Sequence, residues 1–172
     1  MTEIYRGPRL RIEKSIFRLP NGTEKERIVV RPLDAVAVLP VEGEYCYLLR
    51  QYRFAIDAYL WEAPAGTIDP GEEPQETAHR EMIEETGLCP SRLIPRGFIY
   101  TTPGFTTERL HLFEARDLVP SSEYERDEDE EIEVVRLPQK EIHRMIKAGQ
   151  ICDAKTICLV HLCLGSTLNY ML

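Results

Sequence analysis

Long apolar runs are missing from this chain of 172 residues, and no stretch reaches the roughly 18 apolar residues that a membrane-spanning helix needs. The first residues, MTEIYRGPRLRIEK, lack the apolar core of a secretory signal peptide. The five cysteines are an odd number and include no CxxC pair, which argues against a disulfide framework and against a zinc site. These absences predict a cytoplasmic protein with no membrane partner.

An excess of positive charge is missing as well. The net charge is −8, and residues 123–133 contain eight acids and one arginine, a local sum of −7 that leaves −1 for the rest of the chain. A nucleic-acid-binding surface would need a basic stripe, so we expect no nucleic acid partner. This balance still allows a small phosphorylated substrate that is held through metal ions.

The pattern of apolar residues and the chain length predict one domain with an N-terminal extension. Residues 10–19 and 26–31 flank an Asn21-Gly22 turn, which predicts a β-hairpin within residues 1–31. Residues 32–172 have a usual size for one domain. In it we expect strands at 34–39, 45–50, 96–100, 109–115 and 132–137, and helices at about 72–86, 138–149 and 153–170. This order is typical of an α+β layered domain.

The segment from Gly66 to Leu88, GTIDPGEEPQETAHREMIEETGL, has the strongest local signals. A turn at residues 69–71 and a proline at position 74 predict a helix start, and Gly87 predicts its end. Within the helix, Glu81, Glu84 and Glu85 follow the i, i+3, i+4 spacing that places them on one face.

Three carboxylates on one exposed helix face repel each other by a few tenths of a kcal/mol per pair unless a cation lies between them. Hard oxygen ligands at this spacing suit Mg²⁺ or Mn²⁺. The alternative is an acidic helix face that only contacts solvent, which the glycine, turn and arginine spacing disfavours. We expect Arg80 to have a structural role and to pair with Glu72 or a neighbouring carboxylate.

Gly66, Glu72 and the run from Arg80 to Leu88 fill every fixed position of the Nudix box, so the chain resembles the Nudix hydrolases. The resemblance implies an αβα sandwich with a mixed central sheet, preceded here by the N-terminal antiparallel hairpin or sheet. It also implies metal binding by Glu81, Glu85 and the Ala65 carbonyl, with Glu84 as a further catalytic carboxylate.

The loop that follows the box narrows the resemblance to one subgroup of the Nudix hydrolases. Pro103 stands 15 residues after Leu88 in the segment TTPGFTTE, which is similar to a loop of the ADP-ribose pyrophosphatases. A simple turn between two strands would explain Pro103 and Gly104 but not Glu108. The resemblance implies that Thr102, Pro103 and Gly104 contact the nucleotide sugar and that Glu108 bonds a ribose or assists the metal site.

Two upstream segments, LRQYR at 49–53 and WEAPAG at 61–66, are similar to the same subgroup. The resemblance implies that Arg53 binds the pyrophosphate and that Arg31 is a second substrate-binding arginine. Residue 61 and residues 54–60 differ from the sequence of this subgroup, so the identity of the base and of the sugar stays open. The remaining expected substrate-binding residues are Glu62, Gly66 and Ile68.

The acidic run at 126–131 has two interpretations. Charge runs are usually solvated loops. In ADP-ribose pyrophosphatases, however, a loop at this place carries a glutamate that activates water or completes metal binding. The candidates are Glu130, which we prefer, and Glu128.

The resemblance implies hydrolysis of the pyrophosphate of a nucleoside diphosphate sugar, with ADP-ribose giving AMP and ribose 5-phosphate as the first choice. The alternatives are another NDP-sugar such as a GDP-hexose, or a non-catalytic domain that senses nucleotide sugars. The box carboxylates are all present, which argues against a sensor. The resemblance further implies a homodimer in which the hairpin reaches the neighbouring site. A hairpin folded on its own domain stays the alternative.

Overall fold

The protein is described by a computed structural model that covers residues 2–124 and 131–165. These residues form ten strands and three helices. In chain order they are β1 Thr2–Arg6, β2 Leu10–Arg18, β3 Glu24–Pro32, β4 Ala35–Glu42, β5 Tyr45–Arg53, β6 Ala58–Glu62, β7 Ala65–Thr67, α1 Pro74–Thr86, β8 Leu88–Tyr100, β9 Arg109–Pro120, β10 Ile132–Pro138, α2 Gln139–Lys147 and α3 Ala154–Leu164.

The central sheet has the order β10-β5-β4-β9-β8, with β6 beside β5 and β7 beside β4. Strands β4 and β9 run parallel, whereas the other neighbouring strands of this sheet are antiparallel. The sheet is therefore mixed, as expected.

Alternation along β4 builds a core on each face of the sheet. Val36 and Val38 pack with Ala78 and Met82 of α1 on one face. Residues 37 and 39 belong to the opposite core, which contains residues of α2 and α3. Because a strand directs successive side chains to opposite faces, an apolar run such as AVAVLPV is buried on both sides. The expected α+β αβα sandwich is confirmed.

The N-terminal extension is a three-stranded antiparallel sheet in the order β1-β2-β3, so the expected two-stranded hairpin was incomplete. The turn itself follows the expectation. Gly22 has φ +84°, and the Asn21 side chain accepts a hydrogen bond from the Thr23 N–H at 3.0 Å. Strand β1 escaped prediction because its five residues are all exposed and show no apolar alternation.

Strand β8 is longer than predicted, since it begins at Leu88 and not near residue 96. Pro90 and Pro95 lie within it, and proline argues against a strand in a sequence-based assignment. Strand β8 is at the edge of the sheet, which is where prolines within sheets are usually found. The register shifts between Pro95 and Phe98, and Gly97 takes the positive φ of +91° inside that irregularity.

The two C-terminal helices are shorter than predicted. Helix α2 ends at Lys147, and Gly149 follows it with φ +70°. Helix α3 ends at Leu164, and the remainder of the predicted helix, from residue 166, lies outside the described residues. Within the described ranges no helix has the length and apolar character needed to cross a membrane. The cytoplasmic location stays a prediction.

Candidate active site

Helix α1 begins and ends where the turn residues predict. Pro74 is in its first turn, and Glu73 and Glu76 form a reciprocal capping box. At the other end Gly87 adopts a left-handed conformation with φ +69°, and its N–H bonds the Ile83 carbonyl at 2.8 Å. These caps fix the length of the helix and therefore the direction of its carboxylates.

Glu81 lies directly against the backbone of β7. A Cβ built on Gly66 would lie well inside 3.0 Å of the Glu81 carboxyl carbon and of both its oxygens. The absence of a side chain at position 66 thus forms the cradle for this carboxylate. A glycine is required here for close approach rather than for an unusual backbone angle.

Glu85 is 3% exposed, so it does not stand on an open helix face as the sequence suggested. Its Oε2 accepts a hydrogen bond from the Ala65 N–H at 2.8 Å. Two neighbouring backbone positions, 65 and 66, therefore receive the two carboxylates expected to bind metal. A carboxylate stays buried at low cost only when it is hydrogen bonded or paired with a cation.

Arg80 lies among the remaining carboxylates. Its guanidinium donates to Glu72 at 3.1 and 3.0 Å, to Glu81 at 2.9 Å and to Glu84 at 2.8 Å. The hydrogen bonds from Arg80, with a further one from Thr77, lower the pKa of Glu72 to about 2 although burial opposes the shift. The predicted pairing with Glu72 is confirmed. The expected repulsion is correspondingly reduced, because this cation already lies within the acidic face.

The donor set fits a hard divalent cation. Glu81 and Glu85 meet the backbone at positions 66 and 65, and carboxylate and carbonyl oxygens are the ligands that hard divalent cations prefer. In the part of the chain that the structure describes, no three Asp, Glu, His or Cys side chains converge on one point. A divalent cation held by two carboxylates and one carbonyl would need water or substrate oxygens as its further ligands.

Arg53 and Glu62 form a pair beside this centre. Arg53 donates two hydrogen bonds to the Glu62 carboxylate, both at 2.8 Å, and Lys155 of α3 contacts the same carboxylate. Burial would raise the pKa of Glu62, but these two cations outweigh it and lower the pKa. Glu62 is 1% exposed, so its position favours holding Arg53 over contacting a substrate, the role that the resemblance implied.

Sequence reasoning missed Lys155 as a member of this cluster. The first turn of α3 also anchors the connection between β6 and β7, beside the expected metal ligands, because the Thr156 hydroxyl accepts a hydrogen bond from the buried Ala63 N–H at 2.7 Å. Asp153 caps the same helix through the Thr156 N–H at 3.0 Å. The cap was recognisable from the sequence, but its contact with residue 63 spans 93 positions and has no local signal.

The Pro103 loop is exposed and closes on itself. Phe105 N–H bonds the Thr102 carbonyl at 3.2 Å, and the Thr101 hydroxyl donates to Glu108 at 2.6 Å. Pro103 lines a cavity of about 350 Å³ together with residues 100, 106, 107 and 109. Glu108 thus has an internal partner that keeps its carboxylate beside the turn. Gly104 lies in open space, where a Cβ would meet nothing within 4 Å.

The register of the strands places the Pro103 loop at the same end of the sheet as the cradle formed at Gly66 for the Glu81 carboxylate. Ala35 pairs with Thr67 on one side and with Leu110 on the other, and Leu110 pairs with Ile99. Strands β7, β4, β9 and β8 are consecutive, so roughly 14 Å separate β7 from β8 at about 4.8 Å per strand. Substrate-binding and metal-binding candidates therefore flank one end of the sheet.

Arg31 is on β3, which borders the Pro103 loop. Its guanidinium donates to the buried Glu13 at 2.6 Å. The neighbouring Val30 exchanges backbone hydrogen bonds with the loop, through Phe105 at 2.8 Å and Thr107 at 3.1 Å. The N-terminal sheet therefore contacts the Pro103 loop of its own chain. This contact is the one expected if the N-terminal segment folds back on its own domain.

Ile68 packs against the core beneath α1, and its N–H bonds the Asp34 carbonyl at 2.9 Å, so its backbone is fixed at the edge of the cradle. Glu128 and Glu130 lie outside the described residues, and their assignment stays a prediction. The described end of the same acidic run is held in place, because Tyr59 donates its hydroxyl to Glu131 at 2.8 Å.

Comparison with known proteins is consistent with this geometry. The NUDIX domain family matches residues 31–160. An ADP-ribose pyrophosphatase of Bacillus subtilis (strain 168) is 36% identical over 156 residues, which are 90% of this chain and 84% of that protein. A GDP-mannose pyrophosphatase of Cronobacter sakazakii (strain ATCC BAA-894) is 39% identical over 134 residues, or 73% of this chain and 70% of that protein. A crystal structure of ADP compounds hydrolase superposes with a TM-score of 0.83 and 26% identity, covering 94% of this chain and 88% of that one.

Proposed function

The chain belongs to the NUDIX family of hydrolases, and on that premise we propose that it hydrolyses the pyrophosphate of ADP-ribose to AMP and ribose 5-phosphate with a divalent metal. The observation that carries the proposal is that two carboxylates of α1 contact adjacent residues of β7. Glu81 occupies the space above Gly66, and Glu85 is bonded to the Ala65 N–H. A domain that only senses nucleotide sugars would have no need to retain this cradle.

The proposed reaction is attack by water on one phosphorus of the pyrophosphate. The water oxygen forms a bond to phosphorus, the bridging P–O bond breaks, and the bridging oxygen leaves with the other phosphate. A divalent cation held by Glu81, Glu85 and the Ala65 carbonyl supplies neutralisation of the pyrophosphate charge when bound. Arg53, positioned by Glu62, adds a second positive charge. Glu130 takes the proton of the attacking water.

The Pro103 loop and Arg31 supply the binding surface for the nucleoside and sugar. Both border the cradle end of the sheet, and the relative named ADP-ribose pyrophosphatase matches 90% of this chain. A GDP-hexose is the second candidate substrate, supported by the 39% identical relative named GDP-mannose pyrophosphatase.

A substrate panel tests the proposal. ADP-ribose, GDP-mannose, NADH and oxidised dGTP are each incubated with the protein, with Mg²⁺ or with EDTA, and the products are identified by mass spectrometry. We expect AMP and ribose 5-phosphate from ADP-ribose, dependent on metal. Preferred cleavage of GDP-mannose would transfer the assignment to the second candidate. No cleavage of any substrate with Mg²⁺ or Mn²⁺ would favour the sensor.

We also propose that the protein is a homodimer joined through its N-terminal sheet. The register pairs Ile12 with Val30 and Lys14 with Ile28, which places apolar side chains of β2 and β3 on one face. On that face Ile16 is 65% exposed and Ile28 is 53% exposed. Large exposed apolar surfaces mark interaction sites, and a second copy is the commonest occupant.

Light scattering tests the dimer. We expect a mass of twice 19.9 kDa for the wild type and 19.9 kDa for the double variant Ile16→Lys/Ile28→Lys. The variant Lys25→Ala changes an exposed residue of β3 that pairs with Phe17 on the opposite face of this sheet, and it serves as the control. A wild type that is monomeric at micromolar concentration, or a double variant that stays dimeric, contradicts the proposal.

A further inference from the structure

A second cavity lies far from the metal cradle. Its volume is about 410 Å³, and it is lined by the β4–β5 turn, the end of β10 and one side of α2. Strand β4 begins at the cradle end, where Ala35 pairs with Thr67, and finishes at Glu42 beside this cavity. Eight residues of strand extend over roughly 23 Å, so the two sites are at opposite ends of the sheet.

The walls of the cavity are held by hydrogen bonds and by ring stacking. Gln139 donates its N–H to the Glu44 carbonyl at 2.9 Å and its side-chain amide to the Gly43 carbonyl at 2.9 Å. The Arg136 guanidinium lies 3.6 Å from the ring centroid of Tyr45. Tyr45 is 37% exposed, so a fixed aromatic ring borders the cavity. Fixed walls reduce the entropy cost of binding.

Positive charge concentrates on one side of α2. Lys140, His143 and Lys147 follow the i, i+3, i+7 spacing of one helix face, and all three line the cavity. Arg144 also lines it, but its guanidinium is bonded to Glu141 at 2.8 and 2.6 Å. In residues 2–124 and 131–165 no carboxylate pairs with either lysine. These cations stand out in a chain of net charge −8.

Two further groups define the chemistry of this cavity. Burial lowers the pKa of His143, and the charge of Lys147 lowers it further, which favours the neutral imidazole, a form that can donate one hydrogen bond. Glu44 also lines the cavity and carries the opposing charge. Among the described residues these two lysines have no carboxylate partner, so with one glutamate opposite them the lining is positive.

We propose that this cavity binds a small molecule that joins an aromatic ring to a phosphate, the chemical class of the mononucleotides. The ring packs against Tyr45, and the phosphate lies between Lys140 and Lys147. The volume falls within the range of small-molecule sites, and the combination of an apolar wall with a few charged groups is typical of them. This site is separate from the proposed active site and does not depend on the proposed reaction.

Histidine NMR tests the site locally, so that binding at the cradle does not interfere. The protein has four histidines, and the signal of His143 is identified by its loss in His143→Gln. We expect AMP to shift this signal saturably in metal-free protein, and inorganic phosphate or adenosine to require at least tenfold higher concentration. Lys147→Ala should weaken AMP binding by about tenfold, since it removes one charged hydrogen bond. Lys25→Ala, an exposed lysine of β3, is the matched control and should change nothing.

Each part of the proposal can fail separately. No shift of the His143 signal up to about 10 mM AMP would refute the site, since weaker binding has little specific character. Equal binding of phosphate and AMP would refute the ring contact, and equal binding of adenosine and AMP would refute the phosphate contact. Unchanged binding in Lys147→Ala would refute the role of the lysines.

Discussion

Replacing Gly66 with alanine perturbs the cradle by one methyl group. The new Cβ would lie well inside 3.0 Å of the Glu81 carboxylate, whereas ordinary contacts begin at 3.4 Å. The side chain has to move, because the obstacle is its own charged end and the strand behind it is paired with β4. The backbone angle at position 66 is not a left-handed one, so the strain comes from this contact alone.

The size of the effect follows from the displacement. Restoring an ordinary contact moves the carboxylate by on the order of 1 Å, and a misplacement of that size in a catalytic site costs about 10²-fold in rate. We therefore expect Gly66→Ala to lower kcat by about 10²-fold. The unfolding temperature should change little, because Glu81 can turn away toward solvent and no core residue is affected.

A double-mutant cycle with Glu81→Ala provides the decisive assay. Gly66→Ala should have no further effect on kcat in the Glu81→Ala background, because the side chain that clashes is absent. Initial rates and unfolding temperatures of the four proteins complete the cycle. Near wild-type kcat in Gly66→Ala, or fully additive losses in the double variant, would refute the cradle.

The remaining predictions concern the proton acceptor, the substrate arginine and the acid stability of the fold. Glu130→Gln should depress kcat with little change in KM, whereas Arg53→Ala should mostly raise KM. Equal effects of Glu128→Gln and Glu130→Gln on steady-state kinetics would mean that no single base exists. The pKa of Glu72 is about 2 in the folded state and about 4.3 when unfolded, so ionised Glu72 stabilises the fold above pH 4.3 and loses this effect as the pH falls toward 2. Arg80→Met removes the cause of that shift, and acid unfolding followed by circular dichroism should then have its midpoint at higher pH. An unchanged midpoint would exclude this source of acid stability.

The α1 segment was predictable because its information is local. A proline at the start, a glycine at the end and glutamates at i, i+3 and i+4 fix a helix and its acidic face within 20 residues. The depth of Glu85 was not predictable in the same way. Its burial depends on β7, a strand of three residues whose short length gives no periodic signal.

Contacts between distant parts of the chain account for most of the other features that the sequence did not predict. Lys155 reaches Glu62 across 93 positions, and Val30 meets the Pro103 loop across more than 70. Neither contact has a sequence pattern of its own. The first part of β8 and the whole of β1 escaped prediction because these edge segments carry prolines or exposed residues.

Metal-dependent catalysis at the carboxylate cradle is tested most directly by Glu85→Gln. Glutamine keeps an oxygen that accepts the Ala65 N–H but removes the charge that binds metal. Initial rates of ADP-ribose hydrolysis at saturating Mg²⁺ should fall by about 10² to 10⁴-fold, with circular dichroism unchanged. Glu85→Gln that hydrolyses ADP-ribose at the wild-type rate would contradict the central claim.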